Sequence, residues 1–203
     1  VFAAGGFDVI LTNQPWERIK LQEQEFFGAR RPEITAAPNA AARGRLIQAL
    51  TAPGASPADQ RLYRDFLTAK REAEGASLFA HVSGRYPLTG VGDVNLYALF
   101  AETIVQLIAQ RGRASMIVPT GIATDDSTKA FFDSMIGNKL MASIFSFENE
   151  ELIFPGVHHA FKFCLVALGR TECARFVFFA RRIEHIRDER RTFSLESKDI
   201  ALL

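Results

Sequence analysis

The sequence predicts an α/β protein whose sheet is covered by helices on both faces. Short apolar strands alternate with amphipathic helices along the chain, and the early strands are apolar at nearly every position. Such strands are typical of sheets that are buried on both faces by the connecting helices. Hydrophobic residues make up 48% of the 203 residues and charged residues 23%, which is an ordinary globular composition with enough apolar surface for a sizeable core.

Each element is predicted from its own local pattern. The helix over residues 56–80 begins with a Ser56 cap, Pro57 in the first turn and Asp59 three residues after the cap. The helix that starts at Asp93 carries one apolar stripe and is ended by the glycine and arginines of residues 111–113. Further helices are predicted at 39–50 and 125–136, and strands at 7–11, 114–119, 141–147, 160–168 and 175–180.

Composition also limits the functional class. The net charge of +1 is far from strongly basic, so any DNA-binding surface must be local. No apolar run approaches the roughly 20 residues of a membrane span, and no signal peptide is recognisable. The two cysteines show no metal-ligand spacing. We therefore expect a cytoplasmic protein with no metal and no membrane partner. Because it begins with Val1, we interpret the chain as a piece of a longer protein.

A short polar loop, Asn13-Gln14-Pro15-Trp16, follows the first predicted strand. Ligands of open α/β sheets bind beyond the carboxyl ends of strands. Gln14 precedes a proline, which favours an extended backbone, so the loop can direct two carbonyl oxygens at a single amine. These are the Asn13 side-chain oxygen and the Gln14 backbone oxygen, while Trp16 can lie against a flat ring. The alternative is an Asn-Pro turn that ends a strand, with Trp16 in the core.

The loop resembles the Asn-Pro-Pro-aromatic loop of amino-methyltransferases, which modify the exocyclic amine of adenine or cytosine, or a glutamine amide. Its surroundings are similar to the large methylases of type IIG restriction–modification systems and related phage-defence systems. The order and spacing of the similar segments agree from Phe7 to about Leu168. Those segments are residues 7–13, 16–22, 95–102, Gly112, 117–120, 152–155 and 161–163.

The resemblance implies a fold as well as a chemistry. We expect residues 1–203 to form a partial methyltransferase domain, the C-terminal half of a Rossmann-like S-adenosylmethionine-dependent methyltransferase sheet. A helical insertion is expected at about residues 30–92, which is long for an ordinary connection. The glycine-rich loop that holds most of the cofactor in this family is not found here, so the cofactor half is expected before Val1. The fragment alone is therefore expected to bind S-adenosylmethionine weakly and to be inactive.

The resemblance also implies residue roles. Asn13 and the Gln14 carbonyl would hold the amine, Pro15 would fix the loop, and Trp16 would stack on a base extruded from the duplex. Phe154 would cover the opposite face of that base, or simply pack in the core. Tyr97 and Phe100 would lie near the cofactor adenosine, although their spacing also suits a helix core. Five basic residues would contact DNA phosphates, namely Lys20, Arg30, Arg31, Arg43 and Arg45. The alternative is that they only form a charged helix surface.

The implied function is methyl transfer from S-adenosylmethionine to the exocyclic amine of adenine in double-stranded DNA. It would serve a restriction–modification or related defence system, with a nuclease and a target-recognition domain as further parts of the polypeptide. Gln14 stands where the family usually has proline, so the loop loses stiffness. This departure keeps a second interpretation open, a catalytically silent DNA-binding or assembly module. Methylation of a protein glutamine or of another nucleic acid is a third.

Overall fold

The computed structural model describes residues 5–200, which form two compact units. The sheet unit combines residues 5–18 with residues 84–200, and the helical unit is Ile19–Ser83. The helical unit overlaps the expected insertion at about residues 30–92, with different bounds.

The sheet unit is built on a mixed six-stranded sheet in the order β1-β2-β4-β3-β5-β6. β1 is parallel to β2 and β3 is parallel to β5, whereas β4 runs antiparallel to both of its neighbours and β6 runs antiparallel to β5. This sheet and its helices confirm the predicted α/β class. The strands are β1 (Phe7–Asn13), β2 (Ile108–Pro119), β3 (Met141–Glu148), β4 (Lys162–Leu168), β5 (Cys173–Ala180) and β6 (Phe193–Glu196).

Helices connect β1 to β2 and β2 to β3, and one short helix follows β6. In the helical unit these are α1 (Glu23–Gly28), α2 (Pro32–Thr35), α3 (Ala40–Ala49) and α4 (Pro57–Val82). In the sheet unit they are α5 (Leu96–Leu107), α6 (Gly121–Thr124), α7 (Lys129–Gly137) and α8 (Ser197–Ile200). Short 3-10 turns occur at Asp126–Thr128, Asn149–Glu151, Ile183–Arg187 and Glu189–Arg191.

The two faces of the sheet are covered unequally. Helices α5 and α7 pack on the first face and bury the largest hydrophobic cluster, which includes Met116, Val118 and Val166. The second face carries a smaller, aromatic cluster and leaves Val9 63% exposed and Leu11 76% exposed at β1. Within residues 5–200, the expectation of helices on both faces therefore holds for the first face only.

Three local predictions need correction, all within the sheet unit. Asn95, not Asp93, precedes the first turn of α5, and its side chain forms no capping hydrogen bond, while the Asp93 carboxylate pairs with Arg18 at 2.8 Å. The helix then ends at Leu107, and β2 begins at once instead of at residue 114. Gly112 permits this early pairing, since a Cβ there would lie 2.5 Å from the Phe7 carbonyl oxygen of β1. Strand β6 was not predicted, although its apolar residues alternate.

The helical unit has its own small core and well-defined helix starts. Asn39 caps α3 by accepting a hydrogen bond from the Ala42 amide, as Ser56 caps α4 through the Asp59 amide. Such caps contribute about 1 kcal/mol each. The buried residues of this core are Phe27, Ile34, Ile47, Leu50 and Phe66. In the part of the chain that the structure describes, no helix combines the length and apolarity that a membrane crossing requires.

Candidate functional site

Asn13 is the last residue of β1 and lies opposite Ile117 of the parallel strand β2. The carboxyl ends of β1 and β2 therefore meet at one edge of the sheet, where open α/β sheets bind ligands. The Asn13 residue is exposed, and no residue in the described range 5–200 hydrogen-bonds its carboxamide. Its side-chain oxygen is consequently available to an external donor. The adjoining cavity of about 510 Å³ is lined mainly by apolar residues, among them Leu11, Ile117 and Phe145.

Gln14 turns inward and is only 5% exposed. Its Nε2 group contacts the Met116 sulfur at 3.6 Å, and its Oε1 atom is buried without a hydrogen-bond donor. The side chain therefore anchors the loop in the core, a contact that the sequence pattern does not reveal. This anchor is weak, because a buried oxygen without a donor costs roughly 1–3 kcal/mol. Whether Gln14 relaxes the loop, as expected from the missing proline ring, stays a prediction.

Pro15 is exposed, whereas Trp16 is half-buried between the two main clusters of the sheet unit. The Trp16 indole Nε1 donates a hydrogen bond to the Ile117 carbonyl oxygen at 3.3 Å. The centroid of its ring lies 6.4 Å from that of Phe163, and the angle between the two ring planes is 28°. Trp16 thus helps to fill the aromatic cluster and fixes the end of the loop, and its role in stacking on a base stays a prediction.

Phe154 reaches the same cluster from the loop between β3 and β4. Its ring centroid lies 6.5 Å from that of Trp16, and the two ring planes are at 84°. Two rings that enclose a base must be parallel, so this edge-to-face pair leaves no slot for a base between them. The predicted sandwich would therefore require one of the two rings to turn.

The segment after the loop is tied to the start of α5. The Leu96 amide donates to the Glu17 carbonyl oxygen at 2.9 Å, and Arg18 forms its ion pair with Asp93 at 2.8 Å. The Arg18–Asp93 ion pair borders a polar cavity of about 220 Å³. Asn95 also lines this cavity, and its Oδ1 atom is buried without a hydrogen-bond donor. A donor group of a ligand would satisfy that oxygen.

The structure separates the two aromatic residues that were predicted to lie near the cofactor. Tyr97 is 3% exposed and lines the polar cavity, whereas Phe100 is 45% exposed and does not. Burial raises the pKa of Tyr97 to about 12, and the Asp125 carboxylate adds to the rise. The Tyr97 hydroxyl consequently stays neutral at physiological pH and can both donate and accept a hydrogen bond.

The five predicted phosphate contacts all lie in the helical unit and differ in their partners. Arg31 forms ion pairs with Asp59 and Glu33, and Arg43 pairs with Glu23 at 2.8 Å. The Arg30 guanidinium donates to the Phe26 carbonyl oxygen and lies 4.4 Å above the Phe26 ring. Lys20 and Arg45 are exposed and form no ion pair with any residue between 5 and 200.

Asn149 is the residue that sequence reasoning missed. It is fully buried at the start of the loop between β3 and β4, and its carboxamide forms three hydrogen bonds with the backbone of that loop. The sequence carried a signal for it, because Asn149 directly follows an apolar strand and Asn13 ends one. No cluster of three or more His, Cys, Asp or Glu residues suited to a metal ion occurs between residues 5 and 200.

Comparison with known proteins gives a likeness of structure only. No protein-family model matches the chain, and no curated protein matches its sequence. The methyltransferase subunit of a type I restriction–modification system from Streptococcus thermophilus superposes with a TM-score of 0.52 at 10% identity, over 98% of this chain and 36% of that chain. Its fold therefore resembles that of this chain, which is consistent with the predicted Rossmann-like methyltransferase sheet.

Two further solved structures superpose less well. A modification subunit of a putative type I restriction enzyme from Vibrio vulnificus YJ016 gives a TM-score of 0.42 at 14% identity, over 98% of this chain and 31% of that chain. The type IIG restriction endonuclease BpuSI gives 0.43 at 18% identity, over 65% of this chain and 18% of that chain. This chain thus spans about a third or less of the length of these three proteins.

Proposed function

We propose that this chain carries the amine-gripping part of an S-adenosylmethionine-dependent methyltransferase that acts on adenine in double-stranded DNA. The observation that carries the proposal is the exposed Asn13 carboxamide, which has no hydrogen-bond partner in the described chain and ends β1 beside Trp16. The fold resemblance to a restriction–modification methyltransferase subunit supports it. The proposed setting is a restriction–modification or related defence system, with a nuclease and a target-recognition domain as proposed partners.

The chemistry follows from the electronic state of the amine. The lone pair of an exocyclic amine is delocalised into the ring, so the nitrogen is a poor nucleophile. Two acceptors, the Asn13 side-chain oxygen and the Gln14 backbone oxygen, would hold its two hydrogens and favour a pyramidal nitrogen. That interaction strengthens as the transition state is approached, which is what raises the rate. Trp16 would offer one face to the extruded base, and Pro15 would restrict the loop.

The residues of this chain fit part of the cofactor. The polar cavity of about 220 Å³ is smaller than the roughly 300–1,000 Å³ of most ligand pockets. It nevertheless offers the Asn95 oxygen without a donor and the neutral Tyr97 hydroxyl. These two groups would contact S-adenosylmethionine, with Phe100 farther along α5. When bound, the cofactor supplies a methyl group on a positively charged sulfur.

Phosphate contacts complete the proposal. Among the five predicted cations, Lys20 and Arg45 are the stronger candidates because no carboxylate in the described chain neutralises them. Arg31 and Arg43 would have to leave their ion pairs before they could release counterions from DNA. Arg30 would have to give up its contact with Phe26.

The test is Asn13→Ala in the natural full-length polypeptide, with labelled methyl transfer to unmethylated DNA as the readout. Loss of a group that acts in the transition state commonly lowers the rate by about 10²–10³-fold. We expect at least that loss, with an unchanged unfolding midpoint because Asn13 is exposed. Asn138→Ala is the matched control, since Asn138 is an exposed asparagine at the end of α7. Full activity of Asn13→Ala would refute the mechanism.

One observation favours the second candidate function, a catalytically silent DNA-binding or assembly module. Gln14 stands where the family usually has proline. Its own side chain holds it in the core, although the Oε1 atom is buried without a hydrogen-bond donor. The same assay separates the two candidates. DNA binding by the wild-type polypeptide without methyl transfer, in the presence of the cofactor, would support the silent module.

A further inference from the structure

Asn149 directly follows β3 and is completely buried, with 0% of its surface exposed. It begins the loop of residues 149–161, called here the Phe154 loop. Apart from the 3-10 turn Asn149–Glu151, this loop has no regular secondary structure. Loops of this kind are usually among the most mobile parts of a domain. Placing an aromatic ring accurately on such a loop requires a separate anchor.

The Asn149 side chain provides that anchor through the backbone of the loop. Its Nδ2 group donates to the carbonyl oxygens of Phe154 at 3.0 Å and Val157 at 2.8 Å. Its Oδ1 atom accepts from the Phe154 amide at 2.9 Å. The carboxamide therefore satisfies both backbone polar groups of Phe154, as a neighbouring strand would.

The backbone of Asn149 extends the same anchor. Its amide donates to the Phe161 carbonyl oxygen at 3.1 Å, and its carbonyl oxygen accepts from the Leu152 amide at 2.9 Å. Both ends of the Phe154 loop are thus joined to one buried residue. Leu152 adopts a left-handed conformation with φ of 54°, which bends the chain back towards Asn149.

This bonding pattern is specific to asparagine. Aspartate has the same shape but no side-chain donor when ionised, so it would face two carbonyl oxygens without a proton to share. Glutamine adds a methylene group that a fully buried position does not accommodate without strain. Serine is too short to reach two backbone carbonyls and an amide together.

The consequence reaches the aromatic ring. With its backbone held on both sides, Phe154 packs against Phe163, with 4.9 Å between the ring centroids. It also forms an edge-to-face contact with Trp16, with 6.5 Å between the ring centroids. We propose that Asn149 is a positioning residue that fixes Phe154 against Trp16 and thereby sets the shape of the aromatic surface that receives the target base. This inference rests on the proposed function for its catalytic meaning, whereas its structural part can be measured without DNA.

The first experiment uses Trp16, which is the only tryptophan in the sequence. Asn149→Asp should increase acrylamide quenching of Trp16 fluorescence, because Phe154 no longer shields one side of the indole. Phe154→Ala should do the same, and adding Asn149→Asp to it should change little, since Asn149 acts through Phe154. Asn138→Asp, at an exposed asparagine that bonds the Ser134 carbonyl oxygen, should leave quenching unchanged.

Two results would overturn the inference. One is wild-type quenching in a folded Asn149→Asp variant, and the other is full additivity of its effect with that of Phe154→Ala. Far-UV circular dichroism verifies folding. If Asn149→Asp does not fold, Asn149→Ser replaces it in the same cycle, since its hydroxyl keeps one acceptor.

The second experiment adds activity. In the full-length polypeptide, Asn149→Asp should lower kcat/KM for methyl transfer by about tenfold, which corresponds to about 1.4 kcal/mol. The loss should fall mainly on kcat if the base enters but stacks badly. An unchanged kcat/KM would overturn the role of Asn149 in positioning. If the wild-type polypeptide transfers no methyl, the proposed function fails, and the fluorescence cycle still decides whether Asn149 positions Phe154.

Discussion

The loop after β1 and the loop after β3 both bring an aromatic ring to the second face of the sheet, but different interactions hold them. In the first loop, Asn13 is exposed and unbonded, and the inward contacts come from Gln14 and Trp16. In the second loop, the asparagine itself turns inward and binds the backbone of the loop through three hydrogen bonds. Asn13 is the last residue of β1, and Asn149 is the first residue after β3.

The difference shows how one residue type serves two purposes. A carboxamide whose donors and acceptor are all engaged stabilises the fold and has nothing left for a ligand. A carboxamide without partners stabilises little, yet it is available to an incoming amine. The contrast therefore separates an asparagine whose carboxamide is open to solvent from one whose carboxamide holds the backbone of its own loop.

The largest loss of stability is expected at Trp16, whose ring holds the first loop. Trp16→Ala removes the indole from two clusters and breaks its hydrogen bond to Ile117. Truncation of a core tryptophan costs about 3–5 kcal/mol, and Trp16 is only half-buried, so we expect a loss of about 3 kcal/mol. Urea unfolding followed by far-UV circular dichroism measures it.

Trp16→Phe is the matched control, because it keeps an aromatic ring and removes the indole donor. Loss of one hydrogen bond should cost about 1 kcal/mol. If Trp16→Ala costs no more than Trp16→Phe, the ring does not hold the first loop, and the contrast between the two loops would be wrong.

A smaller effect, of the opposite sign, is expected at Gln14. Gln14→Met keeps the length of the side chain and removes the buried Oε1 atom that has no donor. Removal of such a group should stabilise the protein by about 1 kcal/mol, since the unsatisfied oxygen costs roughly 1–3 kcal/mol. The midpoint of urea unfolding should rise accordingly.

Gln48→Met provides the comparison on the exposed surface of α3, where the same change should have almost no effect. Destabilisation by Gln14→Met would show that the Gln14 amide is satisfied and that the first loop is held as firmly as the second.

These contrasts also show how far the sequence could predict the molecule. Apolar runs located β1, β3 and β4, and the Ser56 and Asn39 caps located α4 and α3, because those signals lie within a few residues. The exposed Asn13 could be chosen from its position after a strand. The inward position of Gln14 could not, because it depends on Met116, 102 residues away.

The predicted start of β2 was wrong for a similar reason. Residues 108–113 continue a helical pattern locally, and the strand exists there because Gly112 permits close approach to Phe7 of β1. Asn149 was missed because the features that distinguish it are its hydrogen bonds with Phe154 and Val157 and its complete burial. Neither feature can be read from the local sequence. Local sequence patterns locate elements and strand ends, whereas tertiary packing decides which polar groups are used.

The smallest effect is expected at the base of the second loop, where Glu148 precedes Asn149. Its carboxylate accepts from Lys162 at 3.1 Å and from Arg181 at 3.1 Å. The Lys162 hydrogen bond, followed by that of Arg181, lowers the pKa of Glu148 below its ordinary value of 4.5. Because the folded-state pKa is depressed, this contribution to stability is fully present above the unfolded-state pKa. It is lost as the pH falls through the folded-state pKa.

Glu148→Gln should therefore reduce stability slightly at neutral pH and flatten the acid side of the stability profile, with the two proteins converging at low pH. The measurement is the urea midpoint as a function of pH, from neutral to below the ordinary pKa of glutamate. Glu25→Gln removes one exposed carboxylate that forms no ion pair within residues 5–200, and its profile should keep the wild-type acid slope. Equal acid slopes for wild type and Glu148→Gln would mean that ion pairs do not contribute to the anchoring of the second loop, leaving Asn149 to hold it.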